Sequence, residues 1–272
     1  DHRAAPAPGI EGARMPALGG NDEQSSGDTL SSADLGHRPG RAFPAAGRPV
    51  ARPRYPVRAL LAGNFQPMRR IKMSPCALLE TRHASTQAVD PDHRLSFWED
   101  YNASTLVGLK CNSYAEDGFM ASQDNLQLGA MRLARIVGTE HVVERDTSMI
   151  RGVPKDSIFV SLVTGSGSFF YQDGACQVLE PGELVVYRTD KPYLFGFCGA
   201  MRQFIFDIPQ ALFAERCLKR FDRPLKIGGQ SGVQRLLLRT LGERTRGFFQ
   251  QPLSQDAECY QNKSFELVGS LI

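Results

Sequence analysis

The sequence has few histidines and no closely spaced cysteines, and both shortages argue against metal chemistry. All five histidines lie at or before His141, so the last 131 residues contain none. The six cysteines form no Cys-x-x-Cys pair, which argues against a ribbon or finger zinc site. His141 is the only imidazole within the predicted strands, and one imidazole cannot build a three-histidine catalytic centre. We therefore predict no metal, no cofactor and no enzyme activity.

Long apolar runs are also missing. No stretch approaches the roughly 18 uncharged apolar residues of a membrane span, and no charged start is followed by the apolar core of a secretory signal. Scattered cysteines in a chain of this size are typical of reduced thiols in a cytoplasm. The sequence thus predicts a cytoplasmic protein without a membrane partner.

Residues 1–73 differ in composition from the rest of the chain. They hold 9 of the 17 prolines, only three aromatic residues, and 11 Lys and Arg against 6 Asp and Glu. Such a segment buries too little apolar area to offset the entropy of ordering it. We predict a disordered low-complexity segment; a basic arm that touches nucleic acid, or upstream sequence before a true start at Met73, are the alternatives. Residues 74–272 carry 21 basic against 23 acidic residues, which indicates no basic face.

The folded part is predicted to begin with a helix and continue as strands. Leu95, Trp98, Tyr101 and Leu106 have near-helical spacing, so residues 92–109 are predicted to be helical. Short β-branched and aromatic segments separated by turn residues follow it and point to a sandwich or small barrel. The predicted strands are residues 119–126, 131–137, 141–145, 157–164, 168–171, 175–179, 184–188, 193–197 and 201–208.

The chain then changes character and becomes helical. Residues 210–220 and 231–249 carry apolar stripes at helical spacing, and a last helix is predicted after Pro252. The pattern stops at Ile272 without a glycine or a charged last turn. We therefore expect that the sequence is cut short at this point.

The turns of the strand region resemble those of a cupin, a double-stranded jelly roll. Residues 163–167 (Val-Thr-Gly-Ser-Gly), the Asp-Gly pair at 173–174 and residues 179–186 are similar to the central cupin repeat. Metal cupins carry histidines on adjacent inward strands, whereas Tyr193 stands at the position after Pro192 where a histidine is frequent. The resemblance therefore implies the scaffold without the metal enzymology.

The order of the elements resembles a narrower family. A helix, a metal-free cupin-like barrel and two C-terminal helices look like the N-terminal ligand-binding domain of AraC/XylS-type transcription regulators. Residues 128–135, 179–193 and 204–209 are similar to the family's early strands, its central hairpin and its exit into a helix. The resemblance covers about residues 80–272. The family's DNA-reading module, two helix-turn-helix units after the last helix, is absent from this sequence.

The resemblance implies a fold that is mainly β with C-terminal α. By this resemblance, residues 74–272 would form an effector-sensing and dimerisation domain, with a jelly-roll barrel at about 115–208 and a helix pair at about 209–272. DNA would be bound only through the missing module. The alternatives are a free-standing, metal-free cupin-like binding protein and a metal-free isomerase that uses Tyr and Arg.

Two sets of residues are candidates for function. The predicted ligand is a small, aromatic acid or amine, because an apolar pocket with a cationic mouth suits a carboxylate. Its candidate lining residues are Ser161, Phe170, Tyr187, Arg188, Lys191, Tyr193, Phe204 and Phe206. A homodimer is predicted through the apolar positions of the last two helices. Those positions are Leu236, Leu237, Leu241, Leu267, Val268 and Leu271.

Overall fold

The computed structural model of the chain describes residues 77–218 and 220–272. The segment predicted to be disordered, residues 1–73, lies outside the described residues. Two antiparallel sheets of seven and five strands pack face to face as a cupin-like jelly-roll barrel. Helices lie at the N-terminal and C-terminal ends of the domain, so the predicted fold class is confirmed.

Twelve strands run through the described residues. In chain order they are β1 (Thr81–Ser85), β2 (Lys110–Ser113), β3 (Ala121–Leu128), β4 (Met131–Gly138), β5 (His141–Arg145), β6 (Ser157–Val163), β7 (Ser168–Gln172), β8 (Ala175–Leu179), β9 (Leu184–Arg188), β10 (Tyr193–Phe197), β11 (Met201–Pro209) and β12 (Leu225–Ile227). The seven-stranded sheet has the order β1-β3-β4-β11-β6-β9-β12, and the five-stranded sheet has the order β2-β5-β10-β7-β8.

Five α-helices flank or interrupt these strands. They are α1 (Arg94–Thr105), α2 (Thr147–Gly152), α3 (Gln210–Arg216), α4 (Gly232–Gln250) and α5 (Ala257–Leu271). Side chains fix two of their starts. The carboxylate of Asp146 accepts from the N–H of Met149 at 2.7 Å, and the hydroxyl of Ser231 accepts from the N–H of Gln234 at 3.1 Å. Both bonds satisfy backbone donors that the first helical turn leaves without partners.

All nine predicted strands are present, and the sheets also recruit strands that the sequence pattern did not reveal. β1 and β12 lie outside residues 115–208 and form the two edges of the seven-stranded sheet. β1 is mostly exposed and carries little apolar periodicity. It is held by its ladder with β3 and by His83, whose Nδ1 lies 2.7 Å from Asp124 Oδ1. Tertiary pairing, rather than local sequence, therefore makes this segment a strand.

The central strands of the seven-stranded sheet are buried on both faces. Every residue of β6 is buried. Phe159 and Val163 face the other sheet in an inner core, whereas Ile158, Val160 and Leu162 belong to an outer core beneath the C-terminal helices. A strand that is covered on both sides reads as a continuous apolar run, as the sequence of β6 does.

Because the central strands are buried on both faces, the predicted orientation of β11 is reversed. Along β11, Phe204 and Phe206 share a face, and the sequence pattern predicts that this apolar face lines the barrel interior. The structure instead places both in the outer core, where the ring of Phe204 stacks on Phe249 with centroids 5.9 Å apart. Gln203 and Ile205 face the inner side. The prediction that Phe204 and Phe206 line the barrel interior is therefore wrong, because helices cover the apolar face of β11.

One buried arginine ties four segments together at an end of the barrel. Arg145 is fully buried, and its guanidinium donates to the carbonyl oxygens of Gly108 at 2.6 Å, Val153 at 2.8 Å and Thr189 at 2.9 Å. Burial disfavours the charged form and lowers the pKa of this side chain. Because its donors are engaged by backbone carbonyls, Arg145 acts as a structural cross-link.

A side chain at Gly165, in the turn after β6, is predicted to destabilise the fold. A Cβ at this position would lie against the carbonyl oxygen of Ala200 and 2.5 Å from the backbone nitrogen of Arg202. We expect Gly165→Ala to lower the free energy of unfolding by about 1–3 kcal/mol, as overpacking does. Chemical denaturation of the full chain measures this difference.

Gly247→Ala is the matched control for that substitution. Gly247 lies within α4, and a Cβ there meets nothing within 4 Å. Since alanine is the better helix former, Gly247→Ala should raise the free energy of unfolding by up to about 1 kcal/mol. Equal effects of the two variants would contradict the close backbone contact at Gly165.

Candidate functional site

The interior of the barrel is filled with aromatic rings. The ring centroids of Phe170 and Tyr187 lie 4.5 Å apart, and those of Phe195 and Phe197 lie 4.6 Å apart. Tyr193 lies 5.1 Å from Tyr187 in an edge-to-face arrangement. Burial raises the pKa of both phenols well above the ordinary value, so both stay neutral. The interior is thus a rigid apolar chamber with phenolic hydroxyl groups.

Helix α1 forms one wall of this chamber. Its Trp98 is only 2% exposed and packs edge-to-face on Phe119 with centroids 5.9 Å apart. Leu106, Val107 and Leu109 follow α1 and complete the wall. The cavity that remains measures about 30 Å³, which is room for about two water molecules.

His141 carries a buried polar atom without a partner at this cavity. Its Nδ1 lies 2.7 Å from the carbonyl oxygen of Thr139, and a carbonyl can only accept. Nδ1 is therefore protonated, and Nε2 is an acceptor that has no hydrogen-bond partner among the described residues. Burial lowers the pKa of His141 and keeps the ring neutral. The rings of Phe119 and Phe197 lie 5.4 Å and 5.0 Å away and hold the imidazole in place.

Three further polar side chains lie in the interior with His141. The hydroxyl of Ser161 donates to Gln203 Oε1 at 2.7 Å, and Gln203 lines the cavity. Asn102 of α1 also lines it, and its amide donates to the carbonyl of Trp98 at 2.8 Å. The chamber therefore combines rings with a few neutral hydrogen-bonding groups, which is the usual composition of a small-molecule site.

The structure divides the predicted ligand-lining residues into three groups. Ser161, Phe170, Tyr187 and Tyr193 lie in the interior, and the two tyrosines line the cavity. Phe204 and Phe206 lie in the outer core, as described above.

Arg188 and Lys191 make up the third group, and neither lines the cavity. The Arg188 guanidinium forms an ion pair with Asp190, which raises the pKa of Arg188 and lowers that of Asp190. Lys191 Nζ lies 2.7 Å from Asp173 Oδ2. The predicted cationic mouth is therefore corrected, because a nearby carboxylate already neutralises each cation.

Sequence reasoning missed several residues of the site, among them Trp98, His141 and Gln203. Trp98 fits equally well as an ordinary core anchor, and His141 was considered only as a metal ligand. Gln203 is the polar partner in the alternation of β11, so its position was visible in the sequence. A polar residue alternating with phenylalanines in a strand that is buried on both faces is the signal that could have found it.

A larger groove, of about 700 Å³, lies outside the barrel between α4 and the turn at residues 180–183. Arg235, Arg239 and Arg246 line it together with Glu180, Glu183 and Glu243. Arg239 Nε lies 2.7 Å from Glu243 Oε1, and Arg235 donates to the carbonyl of Gly229 at 2.9 Å. The three arginines and three glutamates balance in charge, so the groove favours neither an anionic nor a cationic ligand.

The structure also separates the residues predicted for a dimer interface into buried, half-buried and exposed ones. Leu241, Val268 and Leu271 are buried in the outer core and pack within the chain, which corrects their assignment to an exposed surface. Leu237 and Leu267 are half-buried against that core. Leu236 is 64% exposed and lies on α4 near Val233, which is 67% exposed. Val233 and Leu236 thus form an exposed apolar patch on α4.

Two structural findings concern metals and membranes. Among residues 77–218 and 220–272, no three His, Cys, Asp or Glu side chains converge in a way that could hold a metal ion. Within the same residues, no helix is long and apolar enough to cross a membrane. The absence of a bound metal stays a prediction.

Comparisons with known proteins agree with this architecture. Residues 98–257 match the family described as the AraC-binding-like domain. Among curated proteins, the chain is similar to the "uncharacterized protein in nit 5′ region" of Bacillus sp. (strain OxB-1), with 26% identity over 161 residues. That match covers 57% of this chain and 62% of the relative, so the chain spans less than two thirds of the relative's length.

Among solved structures, the AraC-like transcriptional activator CuxR is similar in fold, with a TM-score of 0.59 and 18% identity. The match covers 71% of this chain and 69% of that one. A cupin superfamily protein from Desulfitobacterium hafniense DCB-2 matches 39% of this chain with a TM-score of 0.29 and 11% identity. Since the family match extends over more than half of the sequence, the chain belongs to the AraC-binding-like domain family.

Proposed function

We propose that this domain binds a small-molecule effector inside the barrel and is the effector-sensing domain of an AraC-type transcription regulator in the cytoplasm. Membership of the family supports the regulator class. The observation that carries the proposal is the buried chamber of aromatic rings in which His141 Nε2 has no partner. Most buried polar atoms in folded proteins have hydrogen-bond partners, so an unpaired acceptor on a residue that lines a cavity supports a ligand site there.

Entry of an effector requires α1 to move, because the present cavity is smaller than any organic ring. Three side-chain hydrogen bonds hold α1 to the sheets, one of them from the Tyr101 hydroxyl to the carbonyl oxygen of Arg82 at 3.4 Å. Glu99 Oε1 accepts from the N–H of Cys111 at 2.8 Å, and the hydroxyl of Tyr101 accepts from the Asn125 amide at 3.1 Å. Displacement of Trp98 breaks few polar contacts and provides the volume of an indole ring. α1 is therefore the element whose position reports on occupancy.

We further propose that the domain forms a homodimer through the exposed face of α4. Val233 and Leu236 protrude from this face, and Leu237 borders it. A two-fold axis would place the same patch of a second copy against it, which removes both patches from water. The opposite face of α4 already covers the sheet through Leu238 and Leu241.

Removal of the Trp98 side chain is expected to turn the closed chamber into an open binding site. Trp98→Ala should lower the free energy of unfolding by about 3–5 kcal/mol and leave a cavity that takes up small aromatic molecules. Toluene should then raise the Tm of the variant, because ligands that bind the native state stabilise it. Differential scanning calorimetry of the full chain measures the shift.

Phe248→Ala is the matched control, since Phe248 is buried in the outer core and stacks on Tyr260 with centroids 4.1 Å apart. It should cost similar stability without gaining a toluene response, because Phe248 borders a solvent-open cleft beside Gln251 and Cys259, so its removal widens that cleft and leaves no enclosed cavity. Equal responses of the two variants to toluene would show that the barrel interior is no special site.

A charge on the exposed face of α4 is expected to separate the dimer. Leu236→Glu should raise the dimer Kd at least roughly tenfold, because it buries an unpaired carboxylate in the proposed interface. Sedimentation equilibrium measures the change. Val178→Glu is the control, since Val178 is 61% exposed and lies on β8, an edge strand of the five-stranded sheet, whereas α4 packs on the seven-stranded sheet. A monomeric parent chain, or equal weakening by both variants, would contradict the proposed interface.

A further inference from the structure

We propose that the effector is an uncharged, ring-sized molecule with an N–H or O–H donor, and that His141 Nε2 accepts the hydrogen bond from that donor. The inference rests on the proposed function, because it names the chemistry of a ligand for the same chamber. Three features of the structure carry it: the orphaned acceptor, the neutral lining and the shape of the space behind Trp98.

The first feature is the fixed direction of hydrogen bonding at His141. Thr139 lies two residues earlier, and its carbonyl engages Nδ1, which leaves Nε2 with a lone pair and no proton. Phe119 and Phe197 pack against the imidazole, and both are buried. A ring flip would turn the protonated nitrogen away from its carbonyl partner. His141 thus offers the chamber an acceptor, which pairs with a ligand donor and repels a second acceptor.

The second feature is the absence of charge around the cavity. Among the residues that line it, none is Asp, Glu, Lys or Arg. The charged groups of neighbouring segments are engaged elsewhere: Arg145 by three carbonyls, and Lys155 by Asp207, with Nζ and Oδ2 2.6 Å apart. A carboxylate or ammonium group that entered the chamber would lose its water without gaining a counter-ion. The structure therefore favours a neutral ligand over the aromatic acid or amine expected from the sequence.

The third feature is the apolar surface around His141. Phe159, Tyr187 and Phe195 line the cavity opposite the wall that α1 provides. Aromatic side chains pack well on the faces and edges of a further ring. Because the space becomes available only when the indole of Trp98 leaves, a planar molecule of one or two rings fits it best.

Trp98 also supplies the measurement. It is the only tryptophan of the chain, and it lies at the cavity. Its fluorescence, excited at the red edge of tryptophan absorption, reports binding in the full chain. Three probes of similar size separate the features: phenol carries a donor, fluorobenzene lacks one, and benzoate carries a charge.

His141→Phe removes the acceptor and keeps an aromatic ring. We expect phenol to bind the variant roughly tenfold more weakly than the parent chain, which corresponds to about 1.4 kcal/mol, and fluorobenzene to bind both alike. Phe195→Leu is the control, because it changes ring packing without touching the hydrogen bond. It should weaken phenol and fluorobenzene by the same factor. Benzoate should bind the parent chain at least roughly tenfold more weakly than phenol, since it meets no counter-ion.

A measurement on the parent chain covers the case in which His141→Phe does not fold. In nitrogen NMR of the imidazole, phenol should shift the Nε2 resonance of His141, and fluorobenzene should not. An unchanged ratio of phenol to fluorobenzene affinity in His141→Phe, an unmoved Nε2 resonance, or tighter binding of benzoate than of phenol would each overturn the inference while leaving a barrel effector site in place. If no probe binds either the parent chain or Trp98→Ala, both the inference and the proposed function fail.

Discussion

The double burial of the central strands of the seven-stranded sheet is the constraint on which the rest of the structure depends. One face closes the barrel, and the other supports α4 and α5, so each central strand needs apolar side chains in both directions. β6 meets this demand at every position. Removing the helices would expose Phe204, Phe206 and their neighbours to water, and the barrel alone would be a sheet with a large apolar surface. Barrel and helices therefore fold as one unit.

The chamber shows how a stable core and a binding site can be reconciled. Rings fill nearly all of the space, which gives the packing density of an ordinary interior. Some of its polar groups are paired locally, as Ser161 is with Gln203, whereas the Nε2 atom of His141 has no partner among the described residues and is the acceptor that a ligand could use. The unpaired Nε2 atom destabilises the domain while the chamber is closed and holds no ligand. In the proposed opening, the element that moves is α1, which carries Trp98 and is held to the sheets by three side-chain hydrogen bonds.

The chamber and the proposed dimer helix lie on opposite faces of the same strand, β6. Phe159 of β6 lines the cavity, and Leu162 on the opposite face of the same strand lies 3.3 Å from the position that a Cβ of Gly242 in α4 would occupy. α4 in turn presents Leu236 to solvent on its far side. Packed interiors transmit small displacements because they are incompressible. A change of ring packing in the chamber thus has a short mechanical route to the exposed face of α4.

Turn residues and apolar periodicity are local signals, and they were enough to predict the nine strands, the amphipathic C-terminal helices and the resemblance to the family. Periodicity also grouped Phe204 with Phe206 correctly. Contacts between distant segments place this pair against the helices and Gln203 at the chamber, since a period of two shows which residues share a face and not which face is inside. Tertiary pairing likewise made β1 a strand and neutralised Arg188 with Asp190. The role of His141 depended on the carbonyl of Thr139 and on rings from distant strands, and no local pattern encodes contacts of that kind.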